Sequence, residues 1–239
     1  MIRKKWFQVT TLWLIAFAMT GSTCFAQVTG NGKVVKEDRK ITDFRKISVG
    51  NAINLEINQG AEEKVVVEAD ENILPYIKTN VSDGKLEIGV KGNIHHSKAM
   101  NVYVTVKQLS ELEAGSAAQV KTEGKIESGD FRMSSGSGSA VKIGLNCTNL
   151  KINTSSGTAV VINGSAQSIT VSSSSGSALV TSDLKAEKGD VEASSGAVMV
   201  INVTKELKAR ASSGANITVQ GNPAIRDTDS SSGGSVHYK

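Results

Sequence analysis

The chain has little of what usually staples or interrupts a fold. Only two prolines, Pro75 and Pro223, occur in 239 residues. Gly and Ser are abundant, yet Val and Ile are interleaved with them throughout, which excludes a disordered linker. Cysteine is nearly absent, and aromatic residues make up 4% of the chain. Both tryptophans, Trp6 and Trp13, lie in the first few residues. No run of Lys and Arg follows the N-terminal one, which removes the electrostatic case for nucleic acid.

The N-terminus reads as a secretory signal. Arg3, Lys4 and Lys5 form a basic region, Leu12 to Met19 a short apolar one, and Cys24-Phe25-Ala26 places small residues at −3 and −1 before Gln27. Residues 1–26 are therefore expected to be removed, and the protein exported to the periplasm or outer surface. The apolar run is too short, and too broken by Thr10, Thr11 and Thr20, to span a membrane. Acylation of Cys24, which would tether the chain to a membrane, is the alternative. Cleavage leaves 24 basic and 23 acidic side chains, so the mature chain is close to neutral. Cys147 is then the only thiol, and no intrachain disulfide is possible. The mature length suits one large all-β domain.

What is present is a repeat. Ser-Ser-Gly recurs at Ser155-Ser156-Gly157, Ser174-Ser175-Gly176, Ser194-Ser195-Gly196 and Ser212-Ser213-Gly214, with related signals at Ser134-Ser135-Gly136 and Ser231-Ser232-Gly233. From Gly138 through Gly157, Gly176 and Gly196 to Gly214 the spacings are 19, 19, 20 and 18. Apolar residues hold fixed offsets from that glycine. Val141, Val160, Leu179, Met199 and Ile217 follow it by three, and Phe131, Leu150, Ile169 and Leu207 precede it by seven. Each coil thus carries two short strands of period-2 alternation. Such a coil cannot bury one face alone, whereas stacking at about 4.8 Å builds internal ladders. Lys142, Lys151, Thr170, Glu192, Lys208 and Thr218 should point outward. The Ser-Ser-Gly segment reads as a corner, whose serines bond turn backbone or stack as a hydroxyl ladder. A second corner is expected at Asn163-Gly164 and Gln220-Gly221. The fold class is all-β, a solenoid with coils of about 20 residues over 110–239.

Residues 27–40 read as a polar lead-in, and 41–109 as a less regular β portion, either irregular first coils or a capping layer. Strands are expected at Phe44 to Val49, Ile53 to Ile57, Lys64 to Ala69, Lys85 to Val90 and Asn101 to Val106, with one helical turn within Asn72 to Ile77. Phe44-Arg45-Lys46-Ile47-Ser48-Val49, followed by Gly50-Asn51-Ala52-Ile53-Asn54-Leu55-Glu56-Ile57, resembles the start of the putative auto-transporter adhesin, head GIN domain family. Val65 to Ala69, Asp83 to Leu86, Val102-Tyr103-Val104 and the Ser-Ser-Gly rhythm are similar to it as well. The resemblance runs from Ile41 to the C-terminus. It implies a single 41–239 domain with a single-stranded, right-handed β-helix-like fold, in exported proteins chiefly of Bacteroidetes-type bacteria. It also implies a role in cell adhesion, and brings no catalytic residues.

The residues themselves point to no chemistry. His95-His96 lacks further ligands at metal spacing, His237 stands alone, and Cys147 has no neighbouring His. Gly136-Ser137-Gly138-Ser139 is a corner rather than a nucleophile elbow. Asp130, Asp183, Asp190 and Asp227 are the acids a β-helix polysaccharide-degrading enzyme would need. Their offsets suggest corners and loops of separate coils rather than one strand face. Thr158, Thr170 and Thr218 do not align as an ice-binding face would need, and Gly-Gly-x-Gly-x-Asp calcium repeats are absent. No catalytic, cofactor or metal residue is therefore assigned. The reading is a non-catalytic adhesin-like or scaffold protein with an unknown protein or glycan ligand, and a glycan-binding module or a β-helix polysaccharide-degrading enzyme as alternative. The few aromatics, Phe44, Tyr76, Tyr103, Phe131 and Tyr238, argue against a deep sugar site. Val236 falls at an inward offset in a coil that is not completed. An open solenoid end needs covering, so self-association or docking through the C-terminal coil is expected.

Overall fold

The computed structural model describes residues 27–239, so the expected signal lies outside the described residues. The molecule is a β-solenoid of about 7 turns with coils of about 19 residues. Among the described residues the only helical element is a 3-10 turn at Leu74–Tyr76, where the helical turn beside Pro75 was expected.

The regular part begins with β10 (Glu111–Ala114), β11 (Gln119–Glu127) and β12 (Asp130–Ser135). Long strands follow: β13 (Ala140–Thr154), β14 (Ala159–Ser173), β15 (Ala178–Ala193) and β16 (Val198–Ala211). The shorter β17 (Asn216–Gln220), β18 (Ile225–Ser230) and β19 (Ser235–Tyr238) complete the stack. All pairings among these strands are parallel, one coil upon the next. The inward ladders are as the offsets require. Val141 pairs with Val160, Val160 with Leu179, Leu179 with Met199 and Met199 with Ile217. These five residues, together with Phe131, Leu150, Ile169 and Leu207, are buried.

The second corner lies where Asn163-Gly164 and Gln220-Gly221 place it. In β13 to β16 it is a bend inside a continuous strand, filled by buried Leu145, Leu184, Ala186 and Val203, whereas β17 ends at Gln220. At this bend Gly164 has a φ of +127°, and a Cβ there would lie 1.9 Å from the Leu145 carbonyl oxygen. Differences in coil length are absorbed at the same place. The β14–β15 register shifts between Val161 and Gly164, and the β15–β16 register between Thr181 and Ala186. The Ser-Ser-Gly corners can therefore stay aligned while the coils vary by one or two residues.

The N-terminal portion is both irregular coil and cap, and it is stacked out of chain order. The strands β3 (Lys46–Val49) and β4 (Asn54–Gln59) pair with β10 and β11. Beyond them lie β7 (Lys85–Val90) and β9 (Met100–Val106), which come later in the chain but further from the repeats. Antiparallel strands then close this end. These are β6 (Ile77–Ser82) on β7, β5 (Lys64–Asp70) on β9 and β2 (Val34–Arg39) on β5. Phe44, Ile73 and Leu109 are buried in this portion.

The stretch read as a polar lead-in thus forms two strands, β2 in the main sheet and one in a separate two-stranded sheet. Its β1 (Gln27–Thr29) pairs with β8 (Asn93–His96). The buried Asp70 carboxylate ties the cap together, accepting from the backbone N–H groups of Gly32, Lys98 and Ala99 at 3.0, 3.1 and 3.2 Å. An Asp is easily passed over in a hydrophilic stretch, and nothing in its sequence context marked this role.

Candidate functional site

Each Ser-Ser-Gly corner closes as a turn with two residues of positive φ, for example Ser156 at 53° and Gly157 at 68°. The corners hydrogen-bond to one another along the stack. Gly138 N donates to Ser156 O at 3.0 Å, Gly157 N to Ser175 O at 3.1 Å, and Gly176 N to Ser195 O at 3.0 Å. Two departures from the motif keep the same geometry, because Ala52 and Ala117 hold φ of 55° and 60° where the repeats have glycine. The left-handed region costs a residue with a β-carbon about 1–2 kcal/mol, so these positions are strained by the ladder they serve.

The hydroxyl ladder foreseen for the corner serines is real but sits on other residues. The corner serines face solvent, whereas Ser135, Ser139, Thr154, Thr158, Ser173 and Ser177 are buried just inside. Ser135 Oγ lies 2.6 Å from Thr158 Oγ1, Thr154 Oγ1 2.8 Å from Ser173 Oγ, and Ser173 Oγ 2.8 Å from Ser177 Oγ. In the last coils Ala193, Ala197, Ala211 and Ala215 take these positions. Thr158 therefore points inward, unlike exposed Thr170, which accounts for their failure to form one threonine face.

Outside the first face, the one leading into each corner, a column of polar side chains runs through successive coils. Ser48 pairs with Glu113, Glu113 with Ser134, Ser134 with Asn153, and Asn153 with Ser172. The column goes on through Glu192, Arg210 and Asp229. Its middle members are short, so the surface sinks between the charged ends. The result is a groove of about 780 Å³, walled by the corners on one side and reached by Lys78 and Glu87 at the capped end.

Two sets of charges along the column are paired. Lys85 Nζ lies 2.9 Å from Glu113 and 3.0 Å from Glu111. Its hydrogen bond to Glu113 is the larger of two that hold the Lys85 pKa above the ordinary lysine value. The Lys85 bond likewise lowers the pKa of Glu111. Arg210 Nη1 lies 3.2 Å from Glu192. Such a surface offers hydroxyls, amides and fixed charges to a ligand, but no nucleophile paired with a base.

Residues 43–223 match the family model described as putative auto-transporter adhesin, head GIN domain. The chain belongs to that family. The resemblance read from the Phe44 to Ile57 segment is thereby established, and the stack of coils is the form the head GIN domain takes in this chain. Among solved structures, a putative adhesin from Bacteroides fragilis superposes with a TM-score of 0.85 at 19% identity, covering 89% of this chain and all of that one. A putative adhesin from Parabacteroides merdae gives 0.78 at 20%, covering 89% and 99%. A putative lipid binding protein from Parabacteroides distasonis gives 0.70 at 18%, covering 90% and 100%. At such identities the likeness is one of fold. No curated protein matches the chain.

The acids of this head GIN domain are placed differently from the sequence reading. Asp190 and Asp227 are not at unrelated offsets. They stand in one outward column, either side of Lys208 in register. Both are exposed on the sheet rather than set in a cavity. Asp130 opens the neighbouring column, where its carboxylate accepts from Asn149 Nδ2 at 2.7 Å, and Asp183 lies at the bend. His95 and His96 lie in β8 rather than in a loop, and His237 is exposed at the far end. Among the described residues no three His, Cys, Asp or Glu side chains gather as a metal site. Burial, with help from Asp130, pushes the Cys147 thiol up to about 11, which makes it a poor nucleophile at neutral pH.

Proposed function

We propose that this protein is exported and acts, without catalysis, as an adhesin-like binding protein that takes a surface partner into the groove beside the Ser-Ser-Gly corners. The observation that carries the reading is the run of short hydroxyl and amide side chains, Ser134, Asn153 and Ser172, held at equal heights by coil stacking, with Lys78, Glu87 and the Lys85-paired Glu113 at the capped end. A groove with a rigid backbone floor loses little entropy when it binds an extended polar polymer. The head GIN family and the adhesin-named structural relatives support an adhesin-like, non-catalytic role. The basic and apolar N-terminal residues support export.

Two experiments test this. N-terminal sequencing of the mature protein should begin at Gln27, whereas a lipid-modified start at Cys24 would replace a free protein with a tethered one. Incubation with pectins, glycosaminoglycans and host glycans should leave those chains intact. Reproducible cleavage lost on Asp130→Asn or Asp190→Asn would overturn the non-catalytic reading. In the same panel, retention by whole cells or matrix protein favours an adhesin, and selective glycan retention favours a lectin-like module.

A second reading rests on the C-terminal coil, where Ile225 is 61% exposed beside the outer edges of β18 and β19. It is self-association or partner docking through that coil. Light scattering with and without residues 231–239 tests it, and a strict monomer unchanged by the truncation would sink self-association.

A further inference from the structure

On the opposite face, away from the groove, a second cavity of about 590 Å³ lies over β4, β9, β11, β13 and β14. Its floor is flat and apolar. Ala140 pairs with Ala159, and Val161, beside them, is 39% exposed. Its rim is polar and partly fixed. Glu68 accepts from Asn101 Nδ2 at 2.9 Å and from the Tyr103 hydroxyl at 2.8 Å. Asn54 Nδ2 in turn donates to Asn101 Oδ1 at 3.0 Å. Lys36 sits 5.0 Å from the centre of the Tyr103 ring. An aromatic ring and two amides are thus oriented before any ligand arrives.

The charge balance is uneven. Glu56 is neutralised by Lys121 at 2.7 Å. Lys142 also lines the cavity, and among the described residues it has no carboxylate partner. The Gln119 amide lines it as well and, among the described residues, makes no side-chain hydrogen bond. An apolar floor with a few convergent polar groups is the usual make-up of a small-ligand site, and the volume lies within the ordinary range of roughly 300–1,000 Å³. A flat floor of Ala and Val has no hollow to anchor a bulky peptide side chain. It suits a flat ring with an apolar face and a polar edge.

We infer that this cavity is a saccharide site that selects a sugar carrying a carboxylate. The C–H face of one ring rests on Ala140, Ala159 and Val161, its hydroxyls bond the Gln119 amide and its carboxylate pairs with Lys142. Asn54 and Tyr103 lie two to four strands further along the stack, at about 4.8 Å each, and meet the next ring of an oligosaccharide. The site lies on a different face from the groove and stands independently of its role.

The test is amide chemical-shift mapping of the protein against a panel of oligosaccharides, neutral and uronate- or sialate-bearing. Acidic members should shift the resonances of Asn101, Gln119 and Lys142. Lys142→Glu and Val161→Glu, both at solvent-facing positions and each checked for native circular dichroism, should weaken binding at least tenfold. Neutral members should bind more weakly than their acidic counterparts. Acidic members that shift no resonance at this cavity, or that bind both variants as well as the parent, would overturn the assignment. Cell retention by the Lys142→Glu variant at parental level would meanwhile leave the groove reading intact, so the two proposals fail separately.

Discussion

The guanidinium of Arg226 lies 4.4 Å from the centre of the Tyr238 ring, and this pair covers the C-terminal end of the solenoid. Arg226 is in register with buried Leu207, and its Nε donates to Pro223 O at 3.0 Å. The last coil thus replaces an apolar ladder position with a charged side chain laid over an aromatic one. This is why the coil that reads as incomplete does not leave its core fully bare. Arg226→Ala removes a cation–π contact worth about 0.5–1 kcal/mol and uncovers Leu207. Denaturant unfolding should show a loss of about 1 kcal/mol, accompanied by increased binding of an apolar dye.

The corner ladder makes a prediction in the stabilising direction. Ala117 holds a φ of 60° at a place where the later coils have glycine. Ala117→Gly relieves a left-handed strain of about 1–2 kcal/mol, against a smaller gain in unfolded-chain entropy. The midpoint of denaturant unfolding should rise, by about 0.5–1 kcal/mol in stability. The mirror change, Gly157→Ala, should lower it by at least as much.

Asp70 anchors the N-terminal cap through three backbone donors. Asp70→Ala takes the buried carboxylate acceptor from three part-buried backbone donors, so the loss should be about 1–2 kcal/mol. Hydrogen exchange should localise the damage to β1, β2 and β8 while the Ser-Ser-Gly coils stay protected. Uniform loss of protection would show that the cap and the repeats form one cooperative unit.

Acid sensitivity should come in part from Glu68. The hydrogen bond from Asn101, then that from Tyr103, holds its carboxyl below the ordinary value, and Lys36 adds to this. A depressed carboxylate contributes stability that is present above the unfolded carboxylate range, about 4.3, and is lost as pH falls through the lower folded value. Glu68→Gln should therefore flatten the acid limb of the stability–pH curve and leave its shape near neutrality unchanged. An acid limb identical to that of the parent would contradict this.

The inward ladders were legible because solenoid stacking repeats one local rule, and Val141, Val160, Leu179, Met199 and Ile217 each obey it on a short period. The corners were legible for the same reason. Three features were not. The order of β3, β7 and β10 along the stack depends on which edges pair at long range, and no local pattern encodes that. The bend at Leu145 and Leu184 carries its turn signal only in the neighbouring coil, at Asn163-Gly164, so its continuity through the long strands could not be read from single coils. The common column of Asp190, Lys208 and Asp227, by contrast, was open to the same reading, since each precedes its corner glycine, Gly196, Gly214 or Gly233, by six. The groove follows from the smallness of Ser134, Asn153 and Ser172, and small polar residues in sequence look like corner material.

The most direct test of the account is a cell-retention assay comparing the parent protein with Asn153→Trp/Ser172→Arg. Both side chains stand in the outward column, and both replacements fill the groove without touching the inward ladders. The account predicts native circular dichroism with retention on cells or matrix reduced at least tenfold. Retention equal to that of the parent in a folded variant would contradict it.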